Sequence, residues 1–77
     1  MKLETFINEL LNITECREQF MTKVYFKSEY YEIVVQRLDI EKIGLEDGFI
    51  KILFNNGRRF KLKITEDLKY WTKTSLI

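Results

Sequence analysis

The sequence contains no histidine and no proline, and it has one cysteine and three glycines among its 77 residues. Without histidine, the Ser-His-Asp and Cys-His sets that activate a catalytic nucleophile cannot form. A structural zinc site needs four ligands of the cysteine or histidine type, and Cys16 is the one such residue present. The isolated glycines match neither glycine-rich phosphate loop. The composition therefore predicts a protein with no cofactor, no metal and no enzymatic activity.

Two acidic pairs, Glu46-Asp47 and Glu66-Asp67, are the remaining groups that suit acid–base or magnesium chemistry. We interpret the first pair as a turn before Gly48 and the second as the first turn of a helix. Cys16 is interpreted as a small buried hydrophobic residue. Its thiol would be reactive if it lay at a helix N-terminus near Arg17.

A single cysteine also excludes an internal disulfide, so an apolar core must stabilise the chain as one domain, residues 1–77. Small secreted domains usually depend on disulfides, which favours the reducing cytoplasm for this protein. The first residues carry charged and polar side chains where a signal peptide would be apolar. No uninterrupted apolar run exceeds three residues, so no membrane segment is predicted.

The net charge of +1 conceals an asymmetry along the chain. Residues 1–48 carry six basic and ten acidic side chains, a net charge of −4, whereas residues 49–77 carry seven basic and two acidic ones, a net charge of +5. Such asymmetry indicates a charged partner, or two halves that attract each other within the fold. The stretch from position 51 to position 63 contains five cations and no acid: Lys51, Arg58, Arg59, Lys61 and Lys63.

The first segment has the periodicity of an amphipathic helix, with Glu4 and Glu9 in its first half, where the helix dipole favours negative charge. The apolar stripe is formed by Leu3, Phe6, Ile7, Leu10 and Leu11. After Asn12 the apolar residues no longer follow this helical spacing. Either the helix bends there, or Thr14 caps a second short helix that extends through Cys16 and Phe20.

From Thr22 onward the period changes to two. Residues 22–27 and 30–37 are rich in β-branched and aromatic side chains, which predicts two strands joined by Ser28-Glu29. The segment 39–43 is ambiguous between an irregular link and a short strand.

The clearest local pattern is a hairpin in which Phe49–Phe54 and residues 58–65 flank Asn55-Asn56-Gly57. A two-residue loop would set Lys51 beside Leu62, whereas a three-residue loop with Gly57 in the left-handed region pairs apolar residues with each other. We prefer the second register. Its predicted buried face consists of Ile50, Ile52, Phe60, Leu62 and Ile64.

The last segment resembles a helix start, with Thr65 as the cap and two acids after it, and Leu68 and Trp71 are spaced to pack on the sheet. The predicted fold class is therefore α+β. We expect an N-terminal amphipathic helix, an antiparallel sheet of four to five strands and a short C-terminal helix, with the helices on one sheet face.

The outward face of the hairpin is the best candidate site. Its predicted partner-binding residues are Lys51, Arg58, Arg59, Lys61 and Lys63, with Phe49 and Leu53 beside them. Apolar residues among exposed charges resemble the apolar core and polar rim of an interface. The alternatives are an ordinary solvated strand face, or Phe49 and Leu53 buried under a helix.

A second candidate is the group of tyrosines near the predicted hairpin tip, Tyr25, Tyr30 and Tyr31. Aromatic residues on a sheet stack against bases or anchor a protein interface. Tyrosines at strand ends are also ordinary half-buried residues.

Two functions fit these features. The first is a non-enzymatic protein-binding module, an inhibitor or modulator that occupies a partner's charged surface. In size and in its lack of catalytic residues, the chain is similar to small inhibitors encoded by phages and mobile elements, anti-CRISPR proteins among them. The second is a small nucleic-acid-binding protein that uses the basic face of the hairpin 51–65, against which the low net charge argues. A homodimer formed through a sheet edge is compatible with either function.

Overall fold

The computed structural model of the chain describes residues 2–12 and 20–76. Within these ranges the chain forms one α-helix and six strands, with a short 3₁₀ turn at Arg37–Asp39. The helix α1 spans Leu3–Asn12. The strands are β1 (Phe20–Lys27), β2 (Glu32–Gln36), β3 (Ile40–Glu46), β4 (Phe49–Phe54), β5 (Arg59–Lys63) and β6 (Lys69–Leu76).

The strands form two antiparallel sheets of three strands each. Sheet A has the order β2-β1-β6, and sheet B has the order β3-β4-β5. The α+β class is confirmed, but the prediction of one sheet with four to five strands is wrong. Sheet A forms because β1 pairs along its whole length with β6, from Phe20 opposite Leu76 to Lys27 opposite Lys69. Periodicity does not reveal pairing between segments so far apart in the sequence.

The N-terminal helix is confirmed, and it buries Phe6, Ile7 and Leu10. Leu11 is 38% exposed, so the apolar stripe is narrower than its spacing indicated. The helix has no basic residue in its last turn. Instead, Arg37 donates from Nε to the carbonyl of Leu10 at 2.6 Å, which satisfies one of the carbonyls that a helix end leaves unpaired. The predicted second helix, with Thr14 and Cys16, lies outside the described residues.

The first hairpin has the predicted strands but a longer loop. Residues 28–31 form it, so the prediction of a Ser28-Glu29 connection is wrong. The Ser28 N–H donates to the carbonyl of Tyr31 at 2.8 Å, and Lys27 pairs with Glu32. Four-residue loops are common in hairpins, and this one also makes hydrogen bonds to Lys63 and Asp67.

The ambiguous segment 39–43 becomes the start of β3, and β3 joins β4 through a two-residue turn. Asp47 and Gly48 both have positive φ, 52° and 79°. Two positive φ angles define the tight turn that matches the twist of paired strands. Asp47 therefore lies in a turn, which also includes Gly48, whereas Glu46 is the last residue of β3 and pairs with Phe49.

The β4–β5 hairpin has the predicted register. Ile52 pairs with Phe60 and Ile50 with Leu62, and Gly57 has a φ of 86°. The buried face is confirmed for Ile50, Ile52 and Leu62 but wrong for Phe60, which is 47% exposed. Phe60 lies at the start of the edge strand β5, where it lines a surface groove together with Val34 of β2.

The predicted C-terminal helix is wrong. Residues 65–68 form a turn, in which the Leu68 N–H donates to the carbonyl of Thr65 at 3.2 Å, and β6 follows. Glu66-Asp67 is therefore a turn and not the first turn of a helix. A Thr followed by acids favours turns as well as helix caps. The aromatic pair Tyr70-Trp71 followed by Thr72 has a high strand propensity, and pairing with β1 decides the outcome.

One apolar core joins both sheets and the helix. Its largest fully buried side chains are Phe26, Leu10, Ile50, Ile52 and Val24. Phe6 of α1 packs edge-on against Phe26, with ring centroids 6.1 Å apart, and contacts Tyr70 at 4.9 Å. Since the inner faces of both sheets meet in this core, their outer faces remain on the surface.

Candidate functional site

Alternation along the strands places the predicted cations on the outer face of sheet B. In the register of β4 and β5, Phe49 pairs with Lys63, Lys51 with Lys61 and Leu53 with Arg59. The neighbours of these positions along each strand, such as Ile50 and Leu62, point into the core. We call this surface the basic face. It comprises Lys42, Lys51, Arg59, Lys61, Lys63, Phe49 and Leu53.

The central strand of the basic face carries an apolar side chain on either side of Lys51. Phe49 and Leu53 lie on the central strand β4 and are half-buried, while the β5 cations beside them are exposed. On the other side, Lys42 of β3 pairs with Leu53. Lys42 was absent from the predicted site because it lies in the acidic half of the sequence and in a segment with ambiguous periodicity.

Two of the cations have defined contacts. Lys61 Nζ lies 4.1 Å from the centroid of the Phe49 ring, within the range of a cation–π interaction. Lys51 Nζ lies 3.2 Å from Glu46 Oε2, which is the one ion pair among residues 2–12 and 20–76. The basic face thus already contacts a carboxylate and an aromatic ring of its own chain.

A shallow depression of about 590 Å³ lies in the basic face, with Lys42, Lys51, Arg59 and Lys61 among the residues that line it. Gly44 pairs with Lys51 and is part of this lining. A Cβ atom at Gly44 would have no atom within 4 Å, so the space above it is open. Cations around an open apolar surface suit a ligand that is itself part apolar and part anionic.

The remaining predicted residues lie elsewhere. Arg58 is in the turn before β5, where its backbone N–H donates to Asn56 Oδ1 at 2.9 Å. Tyr30 is 80% exposed at the tip of the β1–β2 hairpin. Tyr31 is half-buried, and its hydroxyl donates to the carbonyl of Lys63 at 2.7 Å, so it serves the fold itself. Burial raises the pKa of the Tyr31 hydroxyl above its ordinary value of 10.0.

Asp67 also joins the hairpin tip to the segment before β6. It accepts from the Glu29 N–H at 2.6 Å and from the Thr65 hydroxyl at 2.5 Å. The hydrogen bond from Thr65, followed by that from Glu29, lowers the pKa of the Asp67 carboxyl. Among the described residues no group of three or more potential ligands could hold a metal ion.

The outer face of sheet A is a second surface that the sequence does not predict. Tyr25 does not lie with Tyr30 and Tyr31, because alternation along β1 places it on the outer face of sheet A. There its ring stacks on Trp71 of β6. The sequence pattern does not indicate the stack, because it predicts Trp71 on a C-terminal helix.

These features define a small α+β domain with two antiparallel three-stranded sheets and a cationic outer face on sheet B. The chain matches no family model, and comparison with curated proteins and with solved structures finds no significant match. None of the helices in the described ranges is long and apolar enough to cross a membrane.

Proposed function

We propose that this chain is a non-enzymatic protein-binding module that docks on an acidic surface of a partner protein through the basic face. The observation that supports this is the position of half-buried Phe49 and Leu53 beside cations of the neighbouring strands. Leu53 lies between Lys42 and Arg59, and Phe49 lies between Lys63 and Glu46. Protein interfaces likewise combine apolar side chains with surrounding polar and charged ones. The charged side chains here are mainly cationic, and Glu46 is the one acid among the paired positions of β3, β4 and β5.

Two contacts favour an acidic protein over a nucleic acid at this face. Lys61 lies over the ring of Phe49, which reduces the ring surface available for stacking on a base. The pair between Lys51 and Glu46 shows that a carboxylate is within reach of the face. An acidic side chain of a partner would compete with Glu46 for Lys51, while an apolar side chain would enter the depression above Gly44.

A module of this kind acts by occupying a surface. A partner whose acidic patch is covered by the basic face loses access to its own cationic ligand, so we extend the proposal to an inhibitor or modulator. Charge complementarity would accelerate association and make it sensitive to salt.

The test is affinity capture from a nuclease-treated lysate of the organism that encodes the chain, with the double variant Lys61→Glu/Lys63→Glu beside the wild type. The matched control is Lys61→Arg/Lys63→Arg, which keeps both charges. We expect a stoichiometric acidic partner with the wild type and the control. The charge reversal should weaken its capture by about tenfold or more, because charges at an interface rim control association.

Nucleic-acid binding by the same face has its own signature. Neutralisation of about five phosphates would give a log–log salt slope of about −4 to −5 on duplex DNA. The proposal is wrong if mixed-sequence duplex DNA binds with that slope between about 50 and 200 mM salt and Lys61→Glu/Lys63→Glu abolishes the binding.

A further inference from the structure

The outer face of sheet A has three aligned rows of side chains. The middle row runs across the sheet from Val34 through Tyr25 to Trp71. One row on one side pairs Lys23 with Lys73, and one row on the other side pairs Lys27 with Lys69. We call this surface the aromatic face. It comprises Tyr25, Trp71, Val34, Lys23, Lys27, Lys69 and Lys73.

The two rings of the middle row overlap face to face. Their centroids are 5.1 Å apart and their planes differ by 3°. Two rings that lay side by side in one plane could not have centroids this close. The rings are therefore stacked, with one face of each turned toward the other. Trp71 is 39% exposed and lies on β6, an edge strand that pairs with β1 alone in sheet A. The second face of the indole is therefore not covered by another strand of this sheet.

The lysines form two like-charged pairs directly across the ladder. Like charges directly opposite each other destabilise a sheet. The rows lie about 13 Å apart, because a strand rises ~3.3 Å per residue. Glu32, opposite Lys27, is the one acid among the outward positions of these three strands. The aromatic stack is thus flanked on both sides by cations that an anionic ligand would neutralise.

We propose that the aromatic face binds single-stranded nucleic acid, with a base stacked on the exposed indole of Trp71 and phosphates against the two lysine pairs. Flat rings provide stacking for any base, and lysines on both sides contact the backbone without reading sequence. The proposal concerns a different sheet from the basic face, and it holds or fails independently of the proposed function.

A single strand fits this surface better than the other anionic macromolecules. In a duplex, stacked neighbours cover both faces of every interior base pair, so Trp71 could stack only at the two ends. An acidic protein would need an aromatic side chain flanked by acids to match this surface, whereas every nucleotide of a single strand joins a flat base to a phosphate. The aromatic face therefore predicts a preference for single strands with little dependence on sequence.

Trp71 makes the test direct because it is the one tryptophan in the sequence. Titration with a 20-mer of thymidylate should quench its fluorescence, since stacking brings the base onto the indole. The log–log salt slope should be about −3, from four phosphate contacts at ~0.7 each on a single strand. A blunt duplex of the same length should bind more weakly and quench the fluorescence less.

Variants are compared by the anisotropy of a labelled oligonucleotide, which does not depend on tryptophan. Trp71→Ala should weaken binding by between about 5-fold and 150-fold, the range for one lost stacking contact. Trp71→Phe, which keeps an aromatic ring, should weaken binding less than Trp71→Ala. Lys73→Glu should weaken binding several-fold. Lys2→Glu makes the same charge change at an exposed position outside both faces, and it should leave binding unchanged.

Three results would overturn the inference: no quenching by the oligonucleotide, equal binding by Trp71→Ala when circular dichroism shows it folded, or equal quenching by poly-glutamate. Since Trp71→Ala leaves the basic face intact, it should still capture the protein partner. Conversely, Lys61→Glu/Lys63→Glu should still show quenching of Trp71 by thymidylate. Failure of either proposal is therefore recognised without reference to the other.

Discussion

At the residue scale, Asp67 shows how an exposed side chain contributes to the tertiary structure. Its carboxylate accepts hydrogen bonds from the Glu29 N–H, 38 residues away in the sequence, and from the neighbouring Thr65 hydroxyl. Together with the bond from Tyr31 to Lys63, it attaches the β1–β2 hairpin loop to the end of β5 and to the segment that follows. Both hydrogen bonds favour the charged form, which is why the pKa of Asp67 is lowered.

This lowered pKa predicts a pH dependence of stability. A carboxyl whose pKa is lower in the folded than in the unfolded chain stabilises the fold above its ordinary value of 3.8, and the contribution is lost as pH falls through the folded pKa. Asp67→Asn should therefore be less stable than the wild type at pH 7, and the difference should shrink as pH falls below 3.8 and through the folded pKa. Urea denaturation at a series of pH values measures this. A difference that stays constant down to pH 2 would show that the charge of Asp67 does not matter.

At the element scale, α1 depends on a residue that lies outside the helix. Arg37 donates from Nε to the carbonyl of Leu10 and from Nη1 to the carbonyl of Ile40 at 3.0 Å. It thereby connects the helix C-terminus to the start of β3 and places a cation where the helix dipole favours one. The sequence of α1 alone, without a basic residue in its last turn, indicates none of this.

Arg37→Met should therefore destabilise the domain. The variant keeps most of the apolar stem but loses both hydrogen bonds, and we expect a loss of about 1–2 kcal/mol in the free energy of unfolding, given that Arg37 is half-buried. Chemical denaturation followed by circular dichroism measures the loss. Arg58→Met is the matched control, because Arg58 is exposed in a turn, and it should change stability by less than about 0.5 kcal/mol. Equal effects of the two substitutions would exclude the capping role.

At the scale of the whole molecule, the separation of acidic and basic residues seen along the sequence is not kept in the fold. Lys42, from the acidic half, joins the cations of the basic face, and the aromatic face combines Lys23 and Lys27 with Lys69 and Lys73 of the basic half. The acidic and basic halves therefore do not form two opposed units. The sheets instead bring cations from both halves to their outer faces, while Asp47, Glu66 and Asp67 lie in turns.

The shared core predicts that both sheets unfold together. Ile50 of sheet B is fully buried, and Ile50→Val should lower the free energy of unfolding by about 0.5–1.5 kcal/mol. Trp71 lies in sheet A, so its fluorescence reports on the other sheet. We expect Ile50→Val to shift the urea midpoint equally by Trp71 fluorescence and by far-ultraviolet circular dichroism, as in a two-state transition.

A Trp71 midpoint that did not move would show that sheet A unfolds without sheet B. The control is Val34→Ala on the outer face of sheet A. Val34 is 47% exposed, so its truncation leaves no cavity in the core and should have little effect on either probe.

The sequence by itself determined the features that depend on neighbouring residues. The amphipathic period of α1, the Asn-Gly turn with Gly57 at positive φ, and the β4–β5 register follow from local chemistry and from pairing like with like across a short loop. The absence of histidine likewise excludes the catalytic sets that depend on it, whatever the fold. That the chain acts as an inhibitor like those of phages stays a prediction.

Tertiary structure alone decided the rest. Thr65-Glu66-Asp67 begins a helix or a turn equally well by local preference, and the pairing of β6 with β1, about 50 residues apart in the sequence, selects the turn. The same pairing creates the second sheet, the stack of Tyr25 on Trp71 and the two lysine pairs. Such contacts depend on which distant strands become neighbours, and that is settled by burial of a shared core and not by the periodicity of any one segment.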